Sequence, residues 1–138
     1  MPNDPRLADI LVVDDDADIR RCLTRLLELE GYIVATAADG WQALEQVRRR
    51  GPPALVLLDL AMPEMDGWDF LHVRRHDAKL GALPVVVFSA VARLAPTDPR
   101  ALGATAVLHK PLDFRAVVEV ARRYCPAGAP QEEPADFA

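Results

Sequence analysis

Lysine is almost missing from this sequence: Lys79 and Lys110 are the two, although Lys and Arg together number 16. Cysteine is as scarce. Cys22 and Cys125 lie far apart, one inside a predicted helix and one at the end of another. That spacing is poor material for a disulfide framework or a metal knuckle and suits a reducing cytosol. Positive charge is in deficit overall, with a net charge of −5. General affinity for nucleic acid or an anionic membrane needs a basic surface, so neither DNA nor membrane is expected as a partner. Long apolar runs are absent too, and nothing approaches the roughly 20 residues of a membrane-spanning helix. The opening "MPNDPRLADI" lacks the basic flank and apolar stretch of a signal peptide. The expected location is the cytoplasm. A chain of 138 residues is long enough for one domain with a core and too short for two ordinary ones.

What is present is a regular alternation of short apolar runs and amphipathic segments. "DILVVD" (Asp9 to Asp14) is apolar and β-branched, and reads as a buried strand. The following segment carries Ile19, Cys22, Leu23, Leu26, Leu27 and Glu30 at helical spacing, with Gly31 placed to end the helix. "YIVATA" (Tyr32 to Ala37) is a second strand. "DGWQALEQVRRRG" is a second helix capped by Asp39, whose Arg48 to Arg50 fit a solvated last turn better than a nucleic-acid patch.

The unit then repeats. A strand over Ala54 to Asp59 precedes a loop with Pro63 and Gly67 and a helix from about Asp66 to His76. "PVVVFSA" (Pro84 to Ala90) is a fourth strand. Pro96 and Pro99 cannot sit inside a helix, so the next one is expected to be short, capped by Asp98 and ended before Gly103. "TAVLHK" gives a fifth strand and "PLDFRAVVEVARRYC" a final helix. The domain is expected over 9–125, with 1–8 an N-terminal extension and 126–138 a flexible tail rich in Ala, Gly, Pro and Glu.

Strict β-α alternation with apolar strands implies a parallel sheet with helices on both faces. In such sheets the reactive groups gather at the carboxyl ends of the strands. Those ends here are Asp14 and Asp15, Asp59, Ser89 and Lys110. Singly, each has an ordinary reading as a helix cap, a loop hydroxyl or a solvated ammonium. Jointly they place three carboxylates, a hydroxyl and one of two lysines on one edge. Asp14, Asp15 and Asp16 pose the sharpest question, since like charges about 4 Å apart repel by roughly 1 kcal/mol even in water. A positive partner is expected there.

The segments "VVDD", "LLDLAMPEMDG", "VVVFSA" and "HKP", in that order, closely resemble the receiver domain of two-component response regulators, over about Asp9 to Tyr124. The resemblance implies a flavodoxin-like, doubly wound five-stranded parallel sheet of order 2-1-3-4-5. It implies a stand-alone, chemotaxis-regulator-like receiver that takes a phosphoryl group from a sensor histidine kinase or a histidine phosphotransfer protein onto Asp59. Mg²⁺ would be held by Asp15, Asp59 and the carbonyl of Ala61, with Asp14 assisting through water. Ser89 and Lys110 would contact the phosphoryl oxygens, and small Ala90 would leave room for the donor. Asp16 is assigned to helix entry. The Lys110–Pro111 bond is expected to be cis. Such a chain catalyses its own phosphorylation and dephosphorylation rather than turning over a separate substrate.

Two departures from the family pattern stand out. Val107 occupies the place where many receivers carry a switching aromatic, so signalling is expected to run through the loop from Ser89 to Asp98 and the helix after it. Ala61 and Val91 cannot orient a hydrolytic water, so self-dephosphorylation is expected to be slow. With about a dozen residues after Cys125, output is expected by docking to an unidentified downstream protein or by phosphorelay, from a monomer or a phosphorylation-dependent dimer. Rival readings fit less well. A haloacid-dehalogenase-type phosphatase wants an acid at Ala61, and a flavodoxin would set a phosphate against three aspartates. A non-phosphorylated interaction module remains the alternative, although such modules have usually lost an acid or the lysine. Trp41 and Trp68 are expected to pack over the sheet or to anchor a partner. His72, His76 and His109 show no metal-ligand spacing with the acids.

Overall fold

The computed structural model describes residues 8–60, 67–77, 80–89, 103–109, 111 and 113–125. Within them the chain runs β1 (Ile10–Val13), α1 (Ala17–Leu29), β2 (Val34–Ala37), α2 (Gly40–Arg50), β3 (Leu55–Asp59), α3 (Gly67–Arg75), β4 (Val85–Ser89), β5 (Ala106–His109) and α4 (Phe114–Tyr124). The five strands form one sheet in the order β2-β1-β3-β4-β5, and every pairing is parallel. This is the flavodoxin-like order expected from the resemblance. The helix expected after Pro99 lies outside the described residues, as do both chain ends.

Successive strand side chains point to opposite faces, and the core divides accordingly. Leu11, Val13, Val56, Leu58, Val85 and Val87 join Ala43, Leu44 and Val47 of α2 and Phe70 and Leu71 of α3. Ile10, Val12, Leu55, Leu57, Val86 and Phe88 join Leu23 and Leu27 of α1 and Val117 and Ala121 of α4. Strands buried on both faces read as unbroken apolar runs. At roughly 1.5–3 kcal/mol for each fully buried aliphatic side chain, these two layers are the main force closing the fold.

Local chemistry sets the helix ends. The carboxylates of Asp16, Asp39 and Asp113 cap α1, α2 and α4 by accepting main-chain N–H bonds. Gly31, just past α1, has φ 96°, a conformation that glycine adopts without penalty. The sequence pattern puts Tyr32 in the second strand, yet its N–H donates to the Leu27 carbonyl at 3.1 Å. It therefore finishes the turn after α1, and β2 starts at Val34. The final helix likewise starts later than its sequence pattern, at Phe114 behind the Asp113 cap.

Two side chains depart from expectation. Cys22 is exposed, because it lies about 100° around the helix from the buried Leu23. Trp41 is 59% exposed, because α2 turns Gly40, Ala43, Leu44 and Val47 inward. Packing over the sheet is excluded for Trp41, whereas Trp68 is half-buried against the first core layer. His72 and His76 are exposed and lie against each other, ring centroids 4.8 Å apart.

Candidate functional site

β1 and β3 are neighbours with Val13 beside Leu58. One further step along the register sets Asp14 beside Asp59. Both aspartates are almost wholly buried, at 0% and 2% exposure, while Asp15 is exposed. A carboxylate oxygen from each of Asp14, Asp15 and Asp59 lies within 4.8 Å of the others. Two of three clustered charges are thus removed from water in a medium where repulsion is strong. Burying ionised groups is costly unless they are paired or coordinate a metal. The donor set is entirely carboxylate oxygen, which suits a hard cation such as Mg²⁺, Mn²⁺ or Ca²⁺ and suits zinc or copper poorly. The residues present therefore fit a hard divalent ion.

The frame holding the trio is built largely from main-chain bonds. The Asp14 N–H donates to the Ala37 carbonyl at 3.2 Å, extending the β1–β2 ladder by one residue. The Asp16 N–H donates to Asp14 Oδ1 at 2.8 Å. Asp16 Oδ1 in turn accepts from the N–H groups of Asp18 at 2.9 Å and Ile19 at 3.4 Å. Asp16 is thus the α1 cap, as assigned from the sequence. On the other side of the site, Asp59 is registered with Phe88, and the Leu60 N–H donates to the Phe88 carbonyl at 3.2 Å.

Of the other expected positions, several lie outside the described residues. Ser89 ends β4 and is registered with His109 of β5, so its backbone reaches the same sheet edge two strands from Asp14. Lys110 follows His109 directly in the sequence but lies outside the described residues, as do Ala61, Ala90 and Val91. Val107 is half-buried and packs against the α2–α3 layer. His109 is exposed, and it is not among the residues of the acidic cluster.

Sequence reasoning passed over Arg20. Its Nη1 donates to the Asp14 carbonyl at 2.7 Å. Helical side chains lean toward the N-terminus, which brings Arg20, the fourth residue of α1, back to that carbonyl, but nothing in the sequence marks a main-chain oxygen as its partner. Arg74 was also passed over. It is 7% exposed and binds the Leu83 carbonyl through Nε at 2.9 Å and Nη2 at 2.5 Å. Burial lowers its pKa from the usual value. It joins α3 to the segment entering β4, at the end of the sheet opposite the acidic trio.

The family model described as response regulator receiver domain matches residues 10–122. An uncharacterized 14.6 kDa protein of Leptolyngbya boryana is 40% identical over 125 residues, covering 88% of this chain and 93% of that one. The DNA-binding response regulator MtrA of Mycobacterium tuberculosis is 47% identical over 81 residues, 59% of this chain and 34% of that protein. The match thus spans about a third of that regulator's length. Among solved structures, the chemotaxis protein CheY4 of Vibrio cholerae superposes with a TM-score of 0.74 at 29% identity, covering 83% of this chain and 96% of that one. A sensor protein from Polaromonas sp. JS666 gives 0.77 at 34% identity, covering 87% and 97%.

Proposed function

The chain belongs to the response regulator receiver domain family, and from that premise we propose that it accepts a phosphoryl group on Asp59 from a phosphohistidine of a sensor kinase or phosphotransfer protein. The observation that carries this reading is the trio of carboxylates at the carboxyl edge of the sheet, within 4.8 Å of one another and with Asp59 buried. A carboxylate oxygen of Asp59 attacks phosphorus, the nitrogen–phosphorus bond of the donor breaks, and the imidazole leaves with the electron pair. Such transfers depend on positioning and charge neutralisation more than on covalent assistance.

Asp14, Asp15 and Asp59 would hold Mg²⁺, together with the carbonyl of Ala61. When bound, the ion neutralises charge on the phosphoryl oxygens. The protein's own groups divide the rest of the work. Asp59 is the nucleophile, and Asp14 and Asp15 supply the other carboxylates of the acidic cluster. Lys110 supplies a compact positive charge and Ser89 a hydrogen bond to the transferred group. The roles of Ser89, Lys110 and Ala61 rest on their places in the sequence. The setting is the cytoplasm, and among the described residues no helix is long and apolar enough to cross a membrane. Output is by docking to a downstream protein or by relay to another histidine.

Intact-mass measurement after incubation with acetyl phosphate tests the proposal. The wild-type protein is expected to gain one phosphoryl group in Mg²⁺ and none in excess chelator. Asp59→Asn is expected to gain none in either. A folded wild-type protein that stays unmodified in Mg²⁺ would refute the reading and favour an interaction module that works without phosphorylation.

A further inference from the structure

Arg20 stands outside the acidic trio yet is tied to the turn that carries it. Its N–H donates to the Asp16 carbonyl at 3.0 Å, and its guanidinium Nη1 donates to the Asp14 carbonyl at 2.7 Å. The half-buried side chain lies along a groove between α1 and β2, of about 530 Å³, beside Arg21, Thr24, Arg25, Val34 and Thr36. Its bond goes to main chain, so it acts on the site through the backbone.

That bond matters because of where it falls. The Asp14 N–H is fixed by Ala37 and Asp14 Oδ1 by the Asp16 N–H. The Asp14 carbonyl belongs to the next peptide unit, the one joining Asp14 to Asp15, and Arg20 holds it. Because the peptide is planar, holding its carbonyl also places the Asp15 N and Cα, the base from which the Asp15 side chain is directed through its own φ and χ1. Asp15 is the exposed member of the trio and makes no side-chain hydrogen bond among the described residues. The aim of its carboxylate therefore depends on the peptide before it.

We propose that Arg20 is a positioning residue: by locking the Asp14–Asp15 peptide it presents the Asp15 carboxylate to the cation site. The inference rests on the cation-binding part of the function proposed above. Two effects of removing Arg20 oppose each other. Losing a positive charge bonded to the turn that carries Asp14 and Asp15 strengthens cation binding, whereas releasing the peptide weakens it. The sign of the change therefore separates the two.

The test is calorimetric Mg²⁺ titration of the full chain as wild type, Arg20→Met and Arg20→Lys, with the ¹⁵N order parameter of Asp15 measured in the metal-free proteins. Arg20→Met is expected to weaken Mg²⁺ binding about tenfold, ~1.4 kcal/mol, the low end for loss of a hydrogen bond behind a metal ligand. It is also expected to lower the Asp15 order parameter. Arg20→Lys keeps the charge and a hydrogen-bond-donating head on a shorter, non-planar group, and is expected to recover part of both. Unchanged or tighter Mg²⁺ binding in Arg20→Met, or an unchanged order parameter, overturns the inference while leaving the proposed function standing. A wild-type protein that binds no Mg²⁺ overturns both.

Discussion

Replacing Asp15 by Asn isolates the cost of holding three carboxylates together. With ligand atoms within 4.8 Å, each pair repels by roughly 0.9 kcal/mol in bulk water and by about 3.5 kcal/mol at an effective dielectric constant of about 20. Asp15 is the exposed member, so its two repulsions lie near the lower figure and are reduced further by salt. The amide keeps the size of the side chain and removes its charge. Asp15→Asn is therefore expected to raise the unfolding free energy of the metal-free protein by about 1–2 kcal/mol.

In Mg²⁺ the order should reverse. An ion that binds only the folded state stabilises it by about 2.7 kcal/mol at one hundred times its dissociation constant, and the variant has exchanged one charged ligand for a neutral, weaker one. Urea unfolding followed by far-UV circular dichroism, in chelator and in 10 mM Mg²⁺ as about the working concentration, gives all four free energies. A merely structural role for Asp15 would destabilise the variant in both conditions. If Asp15→Asn unfolds more easily in chelator, or gains as much from Mg²⁺ as the wild type does, the argument from clustered charge fails.

Two further expectations concern parts of the fold away from the acidic edge. At Gly103 φ is 97°, and an added Cβ would stand 2.9 Å from Nη1 of the buried Arg74. Gly103→Ala should cost about 2–4 kcal/mol in denaturant unfolding, from the left-handed backbone and the displaced guanidinium bond. In an Arg74→Met background only the backbone part, about 1–2 kcal/mol, should remain, and an equal cost in both backgrounds would show that Arg74 is not the obstacle. At Tyr32 the hydroxyl is buried with no hydrogen-bond partner among the described residues, so Tyr32→Phe should leave neutral-pH stability unchanged or raise it by up to ~1 kcal/mol. Burial, aided by the nearby Cys125, raises the Tyr32 pKa above its usual 10.0. Between pH 10 and the raised folded value the unfolded chain therefore loses this proton first, and wild-type stability should fall across that window more steeply than that of Tyr32→Phe. Parallel pH curves would contradict this.

The three central strands were legible because each is buried on both faces. Before the polar last residues of the latter two, "ILVV", "LVLLD" and "VVVFS" leave no polar position for an exposed face, and with helical segments between them only a covered parallel sheet fits. Edge strand β2 was harder. Its "VATA" is only partly buried, and the apolar Tyr32 and Ile33 before it look like strand. Tyr32 instead points into the α1–α4 core layer, and Ile33 is 68% exposed although its N–H and carbonyl bind Asp9. Composition cannot tell an apolar turn residue from the first residue of a strand when both are bonded through the main chain.

The acidic edge shows the same limit from the other side. Asp14, Asp15 and Asp16 are identical in the sequence and differ in the structure: one is buried beside Asp59, one is exposed within the cluster, and one caps a helix. The first two could be found because their partner Asp59 is also an acid at a strand end, and the third because a short polar side chain before a helix has a known use. Arg20 and Arg74 left no such trace. Each binds a main-chain carbonyl, and since every residue has one, the partner adds nothing to the sequence pattern. A side chain that works by gripping backbone can be recognised only once the turn it grips has been built. For Arg20 that turn carries Asp14 and Asp15, so the least legible member of this edge is the one on which the aim of its most exposed carboxylate depends.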